Sequence, residues 1–341
     1  MQHRTLVTLT ALFGTAVLLS GCATTPGVTK GGEGEISIGL ILEGRNDPWS
    51  VAWSGAADAL MAEDPSVSFT KTYDAVDPTA AEPVARQLLD GGVDVLFMTS
   101  FRLTDVAKQL STEYAQVPML VTSFGEPQQK NMWLGTSSYL EIGYATCYSL
   151  ALASDNGRIG QIVAMQDVVQ SELQTGCALG AEAAVPGAEI VTLNTNSYTD
   201  EQASREQTEK LLEQGIENIF FTSAGAESNG GLNKCEQAGA VCATWAADTR
   251  NWAPTAGAAS VTIDWTVVFK QLIAEAKSGP TEAQTFNATF GNGALAMQPL
   301  DGTTLESKLS VDMKAKIAAM VAGLTDGSIA LPTSIAHPGQ R

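Results

Sequence analysis

Short, almost wholly apolar runs alternate along this chain with segments of helical period, and the whole series occurs twice. The first series opens with ISIGLIL and a helix from about Ser50 to Glu63, ended by Asp64-Pro65. A strand over 67–73, a helix over 79–90 that stops at Gly91-Gly92, and the buried strand VDVLFMTS follow. A helix from Leu103 to Tyr114 and the runs PMLVTSF and NMWLGTS complete it. A long helix, Tyr139 to Ala153, begins the second series. IGQIVAM, a helix over 168–184, EIVTLNTNS, a helix over 200–214, ENIFFTS, a helix stopping at Gly239 and AVCATWAAD then succeed one another. Strands apolar along their whole length are covered on both faces, as in parallel sheets, whereas a sheet with one wet face shows strict alternation. The expectation is an α/β protein of two doubly wound parallel-sheet lobes. ASVTI adds a strand, 265–278 a helix, 285–300 a β-rich stretch, and 304–323 an amphipathic helix; from Asp326 onward pattern is weak.

The first 22 residues carry different information. Arg4 supplies a positive charge, Leu12 to Leu19 a short apolar core, and Leu19-Ser20-Gly21 leads into Cys22. The core falls short of the roughly 20 residues that span a bilayer, so it reads as a secretory signal. A cysteine after small residues resembles the lipobox of bacterial lipoproteins, which implies a signal peptide over 1–21 and a lipidated Cys22. Residues 22–35 then read as a flexible tether outside a bacterial membrane.

A net charge of −18 excludes nucleic acid and anionic headgroups as partners, since both require a basic face. The membrane is reached only through the anchor. His3 and His337 are the sole histidines, one in the leader and one near the tail, so neither a histidine-based triad nor a zinc site is expected. No metal or cofactor is expected, and with no dinucleotide or phosphate-loop fingerprint the chain does not read as an enzyme. Beyond Cys22, four cysteines remain in an oxidising compartment, where three connectivities or free buried thiols are open. Cys235 and Cys242 flank the turn at Gly239 as a local pair; Cys147 and Cys177 would then join neighbouring helices.

Several segments carry a resemblance. These are GLILEGRNDPW with WSGAADAL, QLLDGGVDVLFMTSF, NTNSYTDEQASREQTEKLLEQGIENIFFTSA, WAADTRNWAP with ASVTIDW, and GNGALAM, in that order over most of 36–300. Together they resemble the basic membrane protein family of substrate-binding lipoproteins. The resemblance implies a type I periplasmic-binding fold with two lobes joined by crossing segments. It also implies a monomeric carrier that takes a purine base or nucleoside to an ABC transporter permease. On this reading 36–138 plus about 258–282 form the N-terminal lobe, 139–257 plus about 283–300 the C-terminal lobe, and 301–341 a helix and tail assigned to neither. An extracytoplasmic sensor or a sugar-binding protein of the same fold is the alternative.

Ligands of open α/β sheets bind beyond the carboxyl ends of the strands. That rule selects Asn46, Asp47 and Trp49 after the first strand, with an indole to stack on a ring and polar groups to bond its edge. It selects Ser100 and Phe101 after VDVLFMT, Asn196 and Tyr198 after EIVTLNT, and Ser223 and Gly225 after ENIFFT. Tyr198 is expected to complete an aromatic sandwich with Trp49. The resemblance implies an acidic contact at Asp248. Asp264 and Trp265 are placed at a crossing that borders the cleft, and Trp245 and Trp252 at the cleft or in interlobe packing. Where nucleoside binders of the family often carry lysine this chain has Ile263, which favours a bare base over its nucleoside.

Overall fold

The structure, a computed structural model, describes residues 34–75, 77–280, 282–332 and 334. The expected signal peptide, Cys22, most of the tether and both histidines lie outside the described residues. In chain order the first lobe holds β1 (Ile36–Ile41), α1 (Pro48–Glu63), β2 (Val67–Thr72), α2 (Pro78–Asp90), β3 (Val95–Met98), α3 (Thr104–Glu113), β4 (Met119–Thr122) and β5 (Met132–Ser137). The second holds α4 (Tyr139–Leu152), β6 (Arg158–Val163), α5 (Val168–Ala184), β7 (Glu189–Asn194), α6 (Glu201–Glu213), β8 (Asn218–Phe221), α7 (Glu227–Ala238) and β9 (Val241–Ala243). The chain continues through β10 (Trp245–Ala246), β11 (Val261–Ile263), α8 (Thr266–Ser278), β12 (Gln284–Ala288), β13 (Leu295–Met297), α9 (Thr304–Lys308) and α10 (Val311–Thr325).

The first sheet runs β12-β5-β4-β3-β1-β2, parallel throughout, and β1, β3, β4 and β5 are buried along their whole length. Coverage on both faces is why these strands read as continuous apolar runs. The second parallel sheet runs β7-β6-β8-β9. A small sheet, β10-β11-β13, extends it, because β10 follows β9 across Thr244 and Cys242 bridges Gly257.

Two expected boundaries need correction. The stretch 283–300 does not belong to one lobe. β12 pairs in register with β5, Gln284 opposite Trp133 and Ala288 opposite Ser137, and so covers the edge of the first sheet. Only β13 returns to the second-lobe side. β11 also lies with the small sheet rather than with the first lobe, pairing with β10 and β13. The chain therefore crosses between lobes at Ser138, at Asp264-Trp265 and between β12 and β13. Hydrogen bonds tie the crossings together, Ser138 N to Ala288 O and Asp264 N to Ala294 O, each 2.8 Å. The expected last helix is two helices, since extended Leu309 and the Ser310 cap restart it.

Local chemistry explains the helix starts that face the cleft. Asp47 caps α1, accepting from Ser50 N at 2.7 Å, with Pro48 pre-set at the first helical position. Asp167 caps α5 and Asp200 caps α6 in the same manner. Helices α4 and α5 pack so closely that a Cβ on Gly143 or Gly176 would lie 2.2 Å from a backbone oxygen of the other helix. The Cys147–Cys177 disulfide joins this pair, with Cα atoms 4.9 Å apart, and Cys235–Cys242 joins α7 to β9.

Candidate functional site

A cavity of about 450 Å³ opens between the lobes at the carboxyl ends of both sets of parallel strands. Such strand ends and the helix N-termini beside them are where open α/β sheets gather polar groups. The first lobe contributes the loop after β1, the first turn of α1, and the ends of β3 and β4. The second contributes the loops after β6, β7 and β8, with Trp245 of β10 and Tyr139 at the first crossing.

Six aromatic side chains line it: Trp49, Phe101, Phe124, Tyr139, Tyr198 and Trp245. Trp49 is fixed from all sides. Its Nε1 donates to Thr99 O at 2.7 Å, and its ring meets those of Trp53, Trp245 and Trp265 edge-on at 6.0, 5.7 and 5.4 Å. Trp245 is held likewise, Nε1 donating to Thr222 O at 2.9 Å and its ring meeting Tyr139 at 5.6 Å. Tyr198 stands on a loop of the opposite lobe, and its hydroxyl donates to Asp167 Oδ2. Burial and that bond push its phenol above the ordinary tyrosine range.

The charged lining is mainly acidic. Desolvation pushes the Glu43 carboxyl up to about 7. Asp47, 5 % exposed, is raised by burial as well, against the opposing bonds of its capping role. Glu227, in the first turn of α7, is pushed by burial up to about 8. It reaches the cavity wall behind Gly225, where a Cβ would stand 2.5 Å from Glu227 Oε2 and 2.8 Å from Tyr198 O. Only a residue without a side chain leaves room there. Asn229 lines the cavity with a buried Oδ1 that has no protein donor. The cations, Arg45 and Arg102, are exposed at the rim.

Of the residues expected at the site, Asn46, Asp47, Trp49, Phe101, Tyr198, Ser223 and Gly225 line this cavity. Five do not. Ser100 is buried one layer back, against Glu43. Asn196 is exposed and takes a left-handed turn at φ 55°. Asp248 caps the turn over 249–251 through Arg250 N at 2.9 Å and pairs with the Arg250 guanidinium at 3.0 Å, so its acceptors are occupied. Asp264 is exposed and accepts from Thr266 N, the first residue of α8, at 2.9 Å. Trp265 is wholly buried, stacked on Trp53 at 3.9 Å beneath the wall. Ile263 is buried opposite Leu295 in the small sheet, so the lysine argument drawn from it has no counterpart in the cavity.

Glu43, Tyr139, Asp167, Gln170, Glu227 and Asn229 were not anticipated. Glu43 and Asp167 are discoverable by the strand-end rule, standing two and four residues beyond β1 and β6. Tyr139 sits at a crossing, and Glu227 and Asn229 fall inside a helix, so no linear signal marks them.

The chain was compared with known proteins. The family described as "ABC transporter substrate-binding protein PnrA-like", Bmp, matches residues 66–315. A putative ABC transporter glucose-binding protein, TsgA13, of Haloferax volcanii is 25% identical over 277 residues, 77% of this chain and 69% of that protein. Basic membrane protein B of Borreliella afzelii is 25% identical over 241 residues, 67% of this chain and 69% of that one. An ABC transporter solute-binding protein from Conexibacter woesei superposes with TM-score 0.69 at 18% identity, covering 87% of this chain and 98% of that one. That likeness is one of fold.

Proposed function

Because the chain belongs to the Bmp family of ABC transporter substrate-binding proteins, an extracytoplasmic solute-binding family with the type I periplasmic-binding fold, we propose that it captures a purine base or nucleoside between its lobes for delivery to a permease. The observation that carries this reading is the pairing of aromatic side chains with hydrogen-bond acceptors on one cavity. Trp49 comes from the first lobe and Tyr198 from the second, with Glu43, Asp47 and Asn229 beside them. A flat heteroaromatic ring gains about 1–3 kcal/mol per stacking partner, and its ring N–H and amino groups need acceptors where they leave water. Lobe closure around the ring then couples binding to the conformation presented to the permease. Cys22 is the proposed site of lipidation that keeps this carrier at the membrane.

A sugar is the second reading. The Haloferax volcanii relative carries a glucose-binding name, and carboxylates around aromatic faces also suit hydroxyl-rich rings. Thermal unfolding separates the two, because a solute that binds only the folded form raises the melting temperature by mass action. Guanosine, adenosine, guanine and hypoxanthine are expected to raise it, and ribose and glucose are not. Shifts with the sugars alone would reassign the cavity. For the anchor, Cys22→Ser is expected to release folded protein from the membrane fraction; unchanged retention would remove the lipoprotein assignment.

A further inference from the structure

Helix α1 belongs to the first lobe, yet its N-terminus is held by the second. The Asn46 peptide carbonyl, directly before the Asp47 cap, accepts Asn229 Nδ2 at 3.1 Å and Trp252 Nε1 at 3.0 Å. Trp49 N donates to Ala224 O at 3.0 Å. Val51 and Ala52, one turn further on, pack against the second-lobe apolar cluster that contains Trp252, Ile162 and Leu211. Asn46 and Trp252 are 206 residues apart and meet across the two lobes. These bonds run between protein groups, and Trp252 is not among the residues lining the cavity.

We infer that the Asn46 carbonyl is an interlobe latch and Trp252 a positioning residue that raises affinity by populating the closed form before solute arrives. The inference rests on the solute-carrier reading of the cleft but not on which solute it takes. The physical link is simple. A ligand that binds only the closed form has an apparent Kd equal to its intrinsic Kd divided by the closed fraction. A latch bond that exists only in the closed form shifts that fraction, and one net hydrogen bond corresponds to about a 2- to 10-fold change. Both lone pairs of the carbonyl are engaged, and the bonded peptide is the one that orients Asp47 and Trp49. Closure is thus read directly at two cavity residues. The Trp252 ring is buried in the second-lobe core, so replacing it with phenylalanine removes the donor while keeping most of the packing.

Small-angle X-ray scattering of the full chain, with no solute added, tests this on wild type and Trp252→Phe. Wild type is expected at the radius of the closed structure and the variant at a larger one. Guanosine is expected to restore the wild-type radius and to bind the variant more weakly, by the ratio of the two closed fractions and so by no more than the about 2- to 10-fold change in the closing equilibrium constant. A change in packing alone would shift the melting temperature without moving the ligand-free radius. If Trp252→Phe does not fold, Asn229→Ala carries the ligand-free comparison, since it removes the other donor. Equal ligand-free radii for wild type and a folded latch variant overturn the latch. Absence of any guanosine effect on wild type counts against the purine reading and leaves the ligand-free comparison intact.

Discussion

The two lobes face one cavity with the same architecture and opposite materials. The first offers a wall set in a core: Trp49 is 7 % exposed, bonded through its indole, and backed by the stacked pair Trp53 and Trp265 with Phe97 and Phe269 behind them. The second offers polar groups on loops and a helix start, namely Asp167, Tyr198, Ser223 and Asn229, beside one held ring, Trp245. The aromatic platform supplies shape, and the polar groups supply discrimination. A residue's distance from the core therefore separates the cost of its loss in stability from its cost in binding.

The strongest break of that contrast is Trp53→Ala. Its ring is fully buried against Trp265, so truncation is expected to cost about 3–5 kcal/mol of stability, measured by denaturant unfolding. A loss under about 1 kcal/mol would mean that the first wall is not core-supported. Tyr198→Ala lies at the other pole. Affinity for the bound purine is expected to fall by about 1–3 kcal/mol, roughly 5- to 150-fold by calorimetry, with the unfolding midpoint little changed.

A smaller effect comes from acid groups. Burial holds Glu43 and Glu141 at about 7 and Glu227 at about 8 in the native state, against 4.5 unfolded. Between these values the native state keeps protons that the unfolded state has lost. Their contribution to stability is therefore full below about 4.5 and is lost as pH rises through about 7 to 8. The melting temperature of solute-free protein is expected to fall from pH 5 to pH 9, with a shallower slope in Glu227→Gln. An unchanged slope would mean that Glu227 is ionised throughout. The smallest effect is expected at Asp248→Asn. That carboxylate faces Arg250 rather than the cavity, so calorimetry is expected to find affinity within about twofold of wild type.

Much of this contrast was legible in the chain. Continuous apolar strands, Gly-stopped helices and Asp-started ones mark two parallel-sheet lobes, because local propensity and burial agree there. The strand-end rule located Asn46, Asp47, Trp49 and Tyr198 for the same reason. Expectation and structure part where one residue type serves two physical ends. An aspartate beyond a strand caps a turn as readily as it meets a ligand, as Asp248 and Asp264 do. A tryptophan at a crossing completes the core as readily as it closes a cleft, as Trp265 does. Lobe membership of 283–300 was hidden because β12 and β13 are adjacent in sequence yet pair in different sheets.

In the proposed complex a purine ring bridges the core-set wall and the loop-borne wall. Mass spectrometry of small molecules released by denaturing freshly purified protein tests this, with wild type and Tyr198→Ala prepared side by side. A purine base or nucleoside is expected at near-equimolar stoichiometry from wild type, with its depletion from the variant. A hexose or polyol at that stoichiometry, retained equally by both proteins, would contradict it.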